Sequence, residues 1–176
     1  LKVRELATKN NAILIFDECT SGFRKNFGGL HKLYGIDPDI AMFGKALGNG
    51  YAITAVIGRK EIMQAAQSTF ISSTFWTERL GSVAGLATLK TMEDEKSWEK
   101  ITSLGKYFQT KLGEISHFHK VPVKISGLEA LTTFAFDSAK SLHYKTYLTQ
   151  EMLKKGYLAG TLFYPSIVNT KALVDQ

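Results

Sequence analysis

Two short apolar runs, each ending in a charged residue, set the pattern of this chain. Ala12 to Phe16 is continuously apolar and rich in β-branched residues, and it ends in Asp17-Glu18. Ile40 to Phe43 is equally apolar and ends in Gly44-Lys45. Runs this short and this uniform predict strands buried on both faces, as in parallel sheets. Lys2 to Lys9 reads as the last turns of a helix, closed by Lys9-Asn10-Asn11. Thr20 to Gly29 predicts a loop carrying Gly22, Gly28 and Gly29, followed by a short helix over His31 to Tyr34 that Gly35 ends. Ile36-Asp37-Pro38 predicts a turn. Gly44 to Gly50 predicts a loop, Ala52 to Ile57 a third strand, and Arg59 to Ala66 a short helix. Phe70 to Trp76 is polar and aromatic without a period, so loop or irregular strand.

Longer periods follow. Glu78 to Met92 fits one helix with Leu80, Val83, Ala84, Ala87 and Leu89 mostly on one face. Its small residues, Gly81, Ala84, Gly85 and Ala87, would let it pack closely. A second helix, capped near Ser97 and running to about Ile115, keeps Ile101, Leu104, Phe108, Leu112 and Ile115 at helical spacing. Beyond His119 the texture changes. Val121 to Ile125 and Leu131 to Phe136 predict strands, Ser141 to Lys155 a helix with Gly156 as its cap, and Tyr157 to Leu162 another strand. The fold class expected is α/β: residues 1–117 as part of a large domain with a mostly parallel sheet, then residues 118–176 as a smaller α+β domain.

Composition adds bounds. Hydrophobic residues at 44% and charged residues at 22% are those of an ordinary soluble globular chain. No apolar run approaches the roughly 20 residues that cross a bilayer. No secretory leader is visible, and the start at Leu1 reads as a helix already in progress, so the chain is expected to be part of something longer. The net charge of +6 comes from lysines interleaved with acids (Lys90, Lys96, Lys100, Lys106, Lys111), which describes a solvated helix face and not a nucleic-acid stripe. A single cysteine, Cys19, excludes an internal disulfide and fits a reducing, cytoplasmic compartment. His117 and His119 read as a solvated helix end, and no metal site is expected.

The candidate chemistry lies where the two apolar runs end. Ligands of open α/β sheets collect at the carboxyl ends of parallel strands, and Asp17 and Lys45 stand there. A salt bridge is the plain alternative. Two features favour more: both residues follow strands too apolar for the surface, and Lys45 lies between Gly44 and Gly48-Asn49-Gly50, where backbone can approach a ligand closely. An amine with restricted access to water gives up its proton more readily and becomes a nucleophile toward a carbonyl. A lysine that carries a carbonyl cofactor, facing a carboxylate that keeps a pyridine nitrogen protonated, is the pyridoxal-phosphate arrangement. A ring between them predicts an amine–carboxylate separation of roughly 6–9 Å, whereas direct contact near 3 Å favours the salt bridge.

Asp17-Glu18-Cys19-Thr20-Ser21-Gly22-Phe23-Arg24, then Gly28-Gly29, Asp37-Pro38-Asp39 and Gly44-Lys45, resembles the signature of class III (fold-type I) aminotransferases, on the branch holding glutamate-1-semialdehyde 2,1-aminomutase. The likeness runs over nearly the whole chain, including Gly58-Arg59-Lys60-Glu61-Ile62-Met63 and Gly85-Leu86-Ala87-Thr88-Leu89. It implies a cytoplasmic enzyme of amino-group transfer with pyridoxal 5'-phosphate. Lys45 would form the Schiff base and then move the proton. Asp17 would pair with the ring nitrogen. Cys19 would lie against the ring face, where a branched aliphatic residue is usual, and Thr20 would approach the phenolic oxygen. Thr74, with Ser73 beside it, would bind cofactor phosphate across a homodimer interface. Glu18 and Arg24 read as structural, and Phe75 and Trp76 as packing residues. The loop Tyr51-Ala52-Ile53 lacks the family's usual proline, and Phe75-Trp76-Thr77-Glu78-Arg79 departs from its pattern, so substrate preference is expected to differ from the aminomutase.

The resemblance also implies that the principal phosphate loop and the aromatic that stacks on the ring lie before Leu1. The isolated chain is therefore expected to be inactive and poorly folded, with a sheet edge lacking its neighbour. Two other classes compete with this reading. A phosphate- or nucleotide-binding module fails on pattern, because Lys45 is followed by Ala46 and the glycines stand on the wrong side of it. A non-catalytic relative of the same fold would have little reason to keep Asp17, Lys45 and Thr74.

Overall fold

The computed structural model describes residues 1–176 as two compact units, residues 1–96 and residues 97–176. In the first, helix α1 (Lys2–Lys9) leads into strand β1 (Ile15–Asp17). Strands β2 (Ile40–Phe43) and β3 (Ala55–Gly58) follow, then the short helix α2 (Lys60–Met63) and the long helix α3 (Arg79–Glu95). The sheet order is β1-β2-β3. β1 and β2 run parallel, pairing Ile15 with Ile40 and Asp17 with Met42, and β3 is antiparallel to β2. The sheet therefore mixes one parallel pair with one antiparallel pair.

β2 is the central strand and supplies the core. Its alternation turns Ala41 and Phe43 inward, where they join Leu47. Phe23, Ile53, Ala55 and Leu89 pack around them. The complete burial expected of Ala12–Phe16 does not hold: Ile13 is 56% and Ile15 51% exposed. β1 is an edge strand here, hydrogen-bonded on one side only, and no other segment of the chain covers these two side chains.

Helix α3 turns inward only part of the face its apolar period predicts, the part carrying Ala84 and Leu89. Leu80 and Val83 are exposed, while Gly81 and Gly85 are buried. A Cβ on Gly81 would stand 2.6 Å from the Ala52 carbonyl oxygen, so the helix lies against the segment before β3 at a distance only glycine permits.

The second unit begins with helix α4 (Ser97–Phe118), which the sequence pattern places in the first domain. Ile101, Leu104 and Gly105 are buried on its inner side, and Ile115 is exposed. α4 packs on the turn Glu129–Leu131 and on a sheet of order β4-β5-β6, made of Val123–Ser126, Thr132–Phe136 and Leu162–Phe163, all antiparallel. Thr132 is wholly buried; its hydroxyl donates to the Glu129 carbonyl (2.9 Å) and accepts from Gln109 (2.9 Å). Phe108 stacks on Phe163 with centroids 4.2 Å apart. Helix α5 (Ser141–Lys154) lies beside β5, and a last helix, α6 (Lys171–Asp175), is capped by Thr170. The strand expected from Tyr157 shrinks to Leu162–Phe163, which pair with Thr133 and Thr132 of β5, and the Thr161 carbonyl just before it accepts the Phe134 amide (3.0 Å).

Candidate active site

Because β1 and β2 are parallel and in register at Asp17 and Met42, both leave the sheet at the same edge. The Glu18 amide still donates to the Met42 carbonyl (2.8 Å), which carries the pairing one residue past the strand. Successive strand residues point to opposite faces, so Asp17 and Glu18 have opposite fates.

Asp17 stays open to solvent. Its Oδ1 accepts the Cys19 backbone N–H at 2.9 Å. That bond, a second one from the Cys19 thiol and the charge of Lys45 together outweigh partial burial and hold the carboxyl below its ordinary range. Burial first, and then the bond to Asp17, push the Cys19 thiol up. The pair is therefore an anion and a protonated thiol. A Cβ on Gly44 would lie 3.6 Å from Cys19 Sγ, which puts the thiol against the backbone just before Lys45.

Glu18 turns inward and is 4% exposed. It accepts the Ser21 hydroxyl (2.5 Å) and both the backbone N–H (3.0 Å) and Nδ1 (3.2 Å) of His31. Burial pushes its carboxyl up, but the Ser21 hydroxyl and the His31 and Leu30 amides outweigh burial and hold it low. The Gly22 amide closes the same turn on the Glu18 carbonyl (2.7 Å).

Lys45 opens a short turn, Lys45–Leu47. Its φ is +45°, a left-handed conformation unusual for a side chain as long as lysine. The turn is over-determined: the Lys45 carbonyl accepts the Gly48 (3.2 Å) and Asn49 (3.0 Å) amides, and Leu47 is anchored in the core. Lys45 is exposed, contrary to the restricted water access expected, because it stands beyond the carboxyl end of β2, outside the sheet. Its Nζ donates to Thr20 Oγ1. Asp17 and Lys45 thus lie at the same end of the sheet, within reach of each other's charge, and each takes a different direct partner.

The structure brings Asp17, Cys19, Thr20 and Lys45 together. It does not bring in Ser73 and Thr74, which occupy an exposed turn before α3 that the Trp76 amide closes on the Ser73 carbonyl (3.2 Å). No group of three His, Cys, Asp or Glu side chains is arranged to hold a metal.

Asp39 is a structural centre that the sequence pattern does not single out. It is 3% exposed and accepts the Leu14 amide (2.7 Å), Arg4 Nη1 (2.8 Å) and Arg59 Nη1 (3.1 Å). The Leu14 amide first, then the two guanidinium groups, hold it at about 2. This clamp fixes β1 against β2 from the end opposite Lys45. An acid at the start of a buried strand was the available signal.

Residues 1–174 match the family described as aminotransferase class-III. The chain belongs to the class-III aminotransferases. Among curated members, it is 38% identical over 149 residues to the 3-aminobutyryl-CoA aminotransferase of Cloacimonas acidaminovorans, covering 84% of this chain and 36% of that protein. It is 34% identical to a glutamate-1-semialdehyde 2,1-aminomutase of Lachnoclostridium phytofermentans, covering 82% and 35% respectively. This class-III chain thus spans little more than a third of those two relatives. Among solved structures, the FumI protein of Sphingopyxis sp. MTA144, described in its PLP internal aldimine form, superposes with a TM-score of 0.89 at 24% identity over 98% of this chain and 42% of that one. An omega-transaminase from Sphaerobacter thermophilus gives 0.88 at 21% identity, over 99% and 44%. At those identities the likeness is one of fold: a portion of the fold-type I transferase architecture. No helix is long and apolar enough to cross a membrane.

Proposed function

We propose that the full-length protein carries out amino-group transfer with pyridoxal 5'-phosphate, as an aminotransferase or an aminomutase, and that Lys45 and Asp17 are its catalytic residues. The observation that carries this reading is the parallel register that sets an anionic carboxylate and a primary amine on neighbouring strand ends. The donor set fits the cofactor: an amine for its carbonyl, a carboxylate for a cationic ring nitrogen, and a hydroxyl and a thiol between them. When bound, the cofactor supplies a carbonyl carbon that amines can attach to and a cationic ring that accepts electrons as a substrate carbon loses its proton.

The residues divide that work. Asp17 keeps its negative charge and holds the proton on the ring nitrogen by opposing charge. Lys45 would hold the cofactor through its amine and, once that amine is free, would serve as the base that moves a proton between carbons of the substrate adduct. Cys19 would offer an apolar, protonated sulfur to the ring face, and Thr20 would approach its phenolic oxygen. Ser73 and Thr74, exposed and apart from the Asp17–Lys45 cluster, would bind cofactor phosphate in a second copy of the chain, making a homodimer with shared sites. The substrates are small amino and keto compounds. A mutase would return the amino group to a neighbouring carbon of the same molecule, and a transferase would release the keto product.

The test is spectroscopic. Full-length protein should bind pyridoxal phosphate with the visible absorbance of a lysine-bound cofactor, and Lys45→Ala should lose that band. A Lys45→Ala variant that keeps it would reassign the lysine.

A further inference from the structure

We infer that Thr20 is a positioning residue whose hydroxyl holds the Lys45 amine whenever that amine is not covalently engaged, an inference that rests on the proposed role of Lys45. Lys45 is exposed and carries four rotatable bonds, so nothing in its own burial limits where the amine goes. Its partner is nonetheless 25 residues away in sequence, on the turn after β1. The nearby opposite charge would seem the natural partner, but Asp17 is engaged by the Cys19 amide and thiol. The amine goes to a neutral hydroxyl instead.

That choice has a chemical use. A carboxylate binds an ammonium as an ion pair and has nothing to donate to a neutral amine. A hydroxyl accepts from the ammonium and donates to the neutral amine. It can therefore hold the group in both protonation states, as a residue that takes up and returns a proton requires. The hydroxyl is itself well placed. Thr20 is β-branched, which restricts its χ1. It lies between residues fixed by the buried Glu18, which grips Ser21 on one side and closes the turn on Gly22 with its carbonyl. From the other strand, the left-handed backbone at Lys45 starts the lysine arm on its path to Thr20. Two separately pinned turns thus converge on one hydrogen bond.

The experiment uses full-length protein, wild type and the variants Thr20→Val and Thr20→Ser. Valine keeps the shape and removes the hydroxyl; serine keeps the hydroxyl. Cofactor-free protein is mixed with pyridoxal phosphate, and the rate of covalent attachment to Lys45 is followed by absorbance. In parallel, the isotope effect of an α-deuterated amino substrate is measured in a single half-reaction. Thr20→Val should slow attachment about fivefold to tenfold, as expected for the loss of one ordinary hydrogen bond, and should raise the isotope effect. Thr20→Ser should restore both. A Thr20→Val protein with both readouts unchanged overturns the inference, as does a Thr20→Ser protein as impaired as Thr20→Val. Wild-type protein that attaches the cofactor through a lysine other than Lys45 overturns the proposed function, and this inference with it; that outcome is distinct because it is read on the wild type alone.

Discussion

Replacing Glu18 should loosen the turn that carries Asp17, Cys19 and Thr20, and the size of the effect follows from its contacts. The carboxylate is 4% exposed and accepts the Ser21 hydroxyl at 2.5 Å, the His31 amide at 3.0 Å and His31 Nδ1 at 3.2 Å. A hydrogen bond to a charged group contributes about 1.5–3 kcal/mol, and a buried donor left unpaired costs about 1–3 kcal/mol. These do not simply add, because removing the acid also relieves the cost of burying it. Glu18→Ala is expected to lose about 3 kcal/mol of stability. Glu18→Gln should lose about 1 kcal/mol, since its oxygen still accepts the His31 amide and its NH2 can donate to Ser21. The assay is urea unfolding of the full-length protein, with turnover measured on the same samples. The acid's contribution also depends on pH. Its folded value lies below the ordinary 4.5, so the stabilisation is present above that value and is lost as pH falls through the folded one. Glu18→Gln should remove that part of the acid slope. The reasoning is refuted if Glu18→Ala unfolds within about 0.5 kcal/mol of wild type, or if glutamine is more harmful than alanine.

Other outcomes are equally direct. Asp17→Asn keeps an oxygen for the Cys19 amide, so the fold should stand, while turnover should fall at least about a hundredfold because an amide cannot hold the ring proton by charge. Asp39→Asn should lower the melting temperature at neutral pH. Asp39 is held at about 2 against an ordinary 3.8, so its contribution is present above 3.8 and disappears as pH falls toward 2; melts over that range should be flatter in the variant. Gly105→Ala would put a Cβ 1.8 Å from the Glu129 carbonyl oxygen, backbone against backbone, and should destabilise by roughly 1–3 kcal/mol. Gly113 meets nothing within 4 Å, so Gly113→Ala should be neutral or mildly stabilising in the same thermal unfolding assay.

The two strands and their charged ends were legible because a short, uniformly apolar run closed by charged residues admits few readings, and parallel pairing then places both ends together. The Thr20–Lys45 contact was not legible. It depends on a left-handed backbone at a lysine, which no residue type announces, and on a turn pinned by a glutamate facing the other way. The Asp39 clamp was hidden for a different reason: its partners Arg4 and Arg59 lie 35 and 20 residues away. In α3 the apolar period pointed to Leu80 and Val83, yet the close approach to Ala52 selects the side bearing Gly81 and Gly85, so packing distance overrode hydrophobicity. The grouping of α4 with the second sheet rests on Gly105 against Glu129, a contact that hydropathy does not encode. α6 did carry a readable signal in Thr170, whose hydroxyl accepts the Leu173 amide at 3.2 Å.

The most direct test of the account is chemical capture of the lysine. Full-length protein loaded with pyridoxal phosphate is reduced with borohydride, digested, and its peptides are mapped by mass spectrometry. A single reduced cofactor adduct is expected, on the peptide containing Lys45. An adduct on another lysine, or none after saturating exposure to the cofactor, would contradict it.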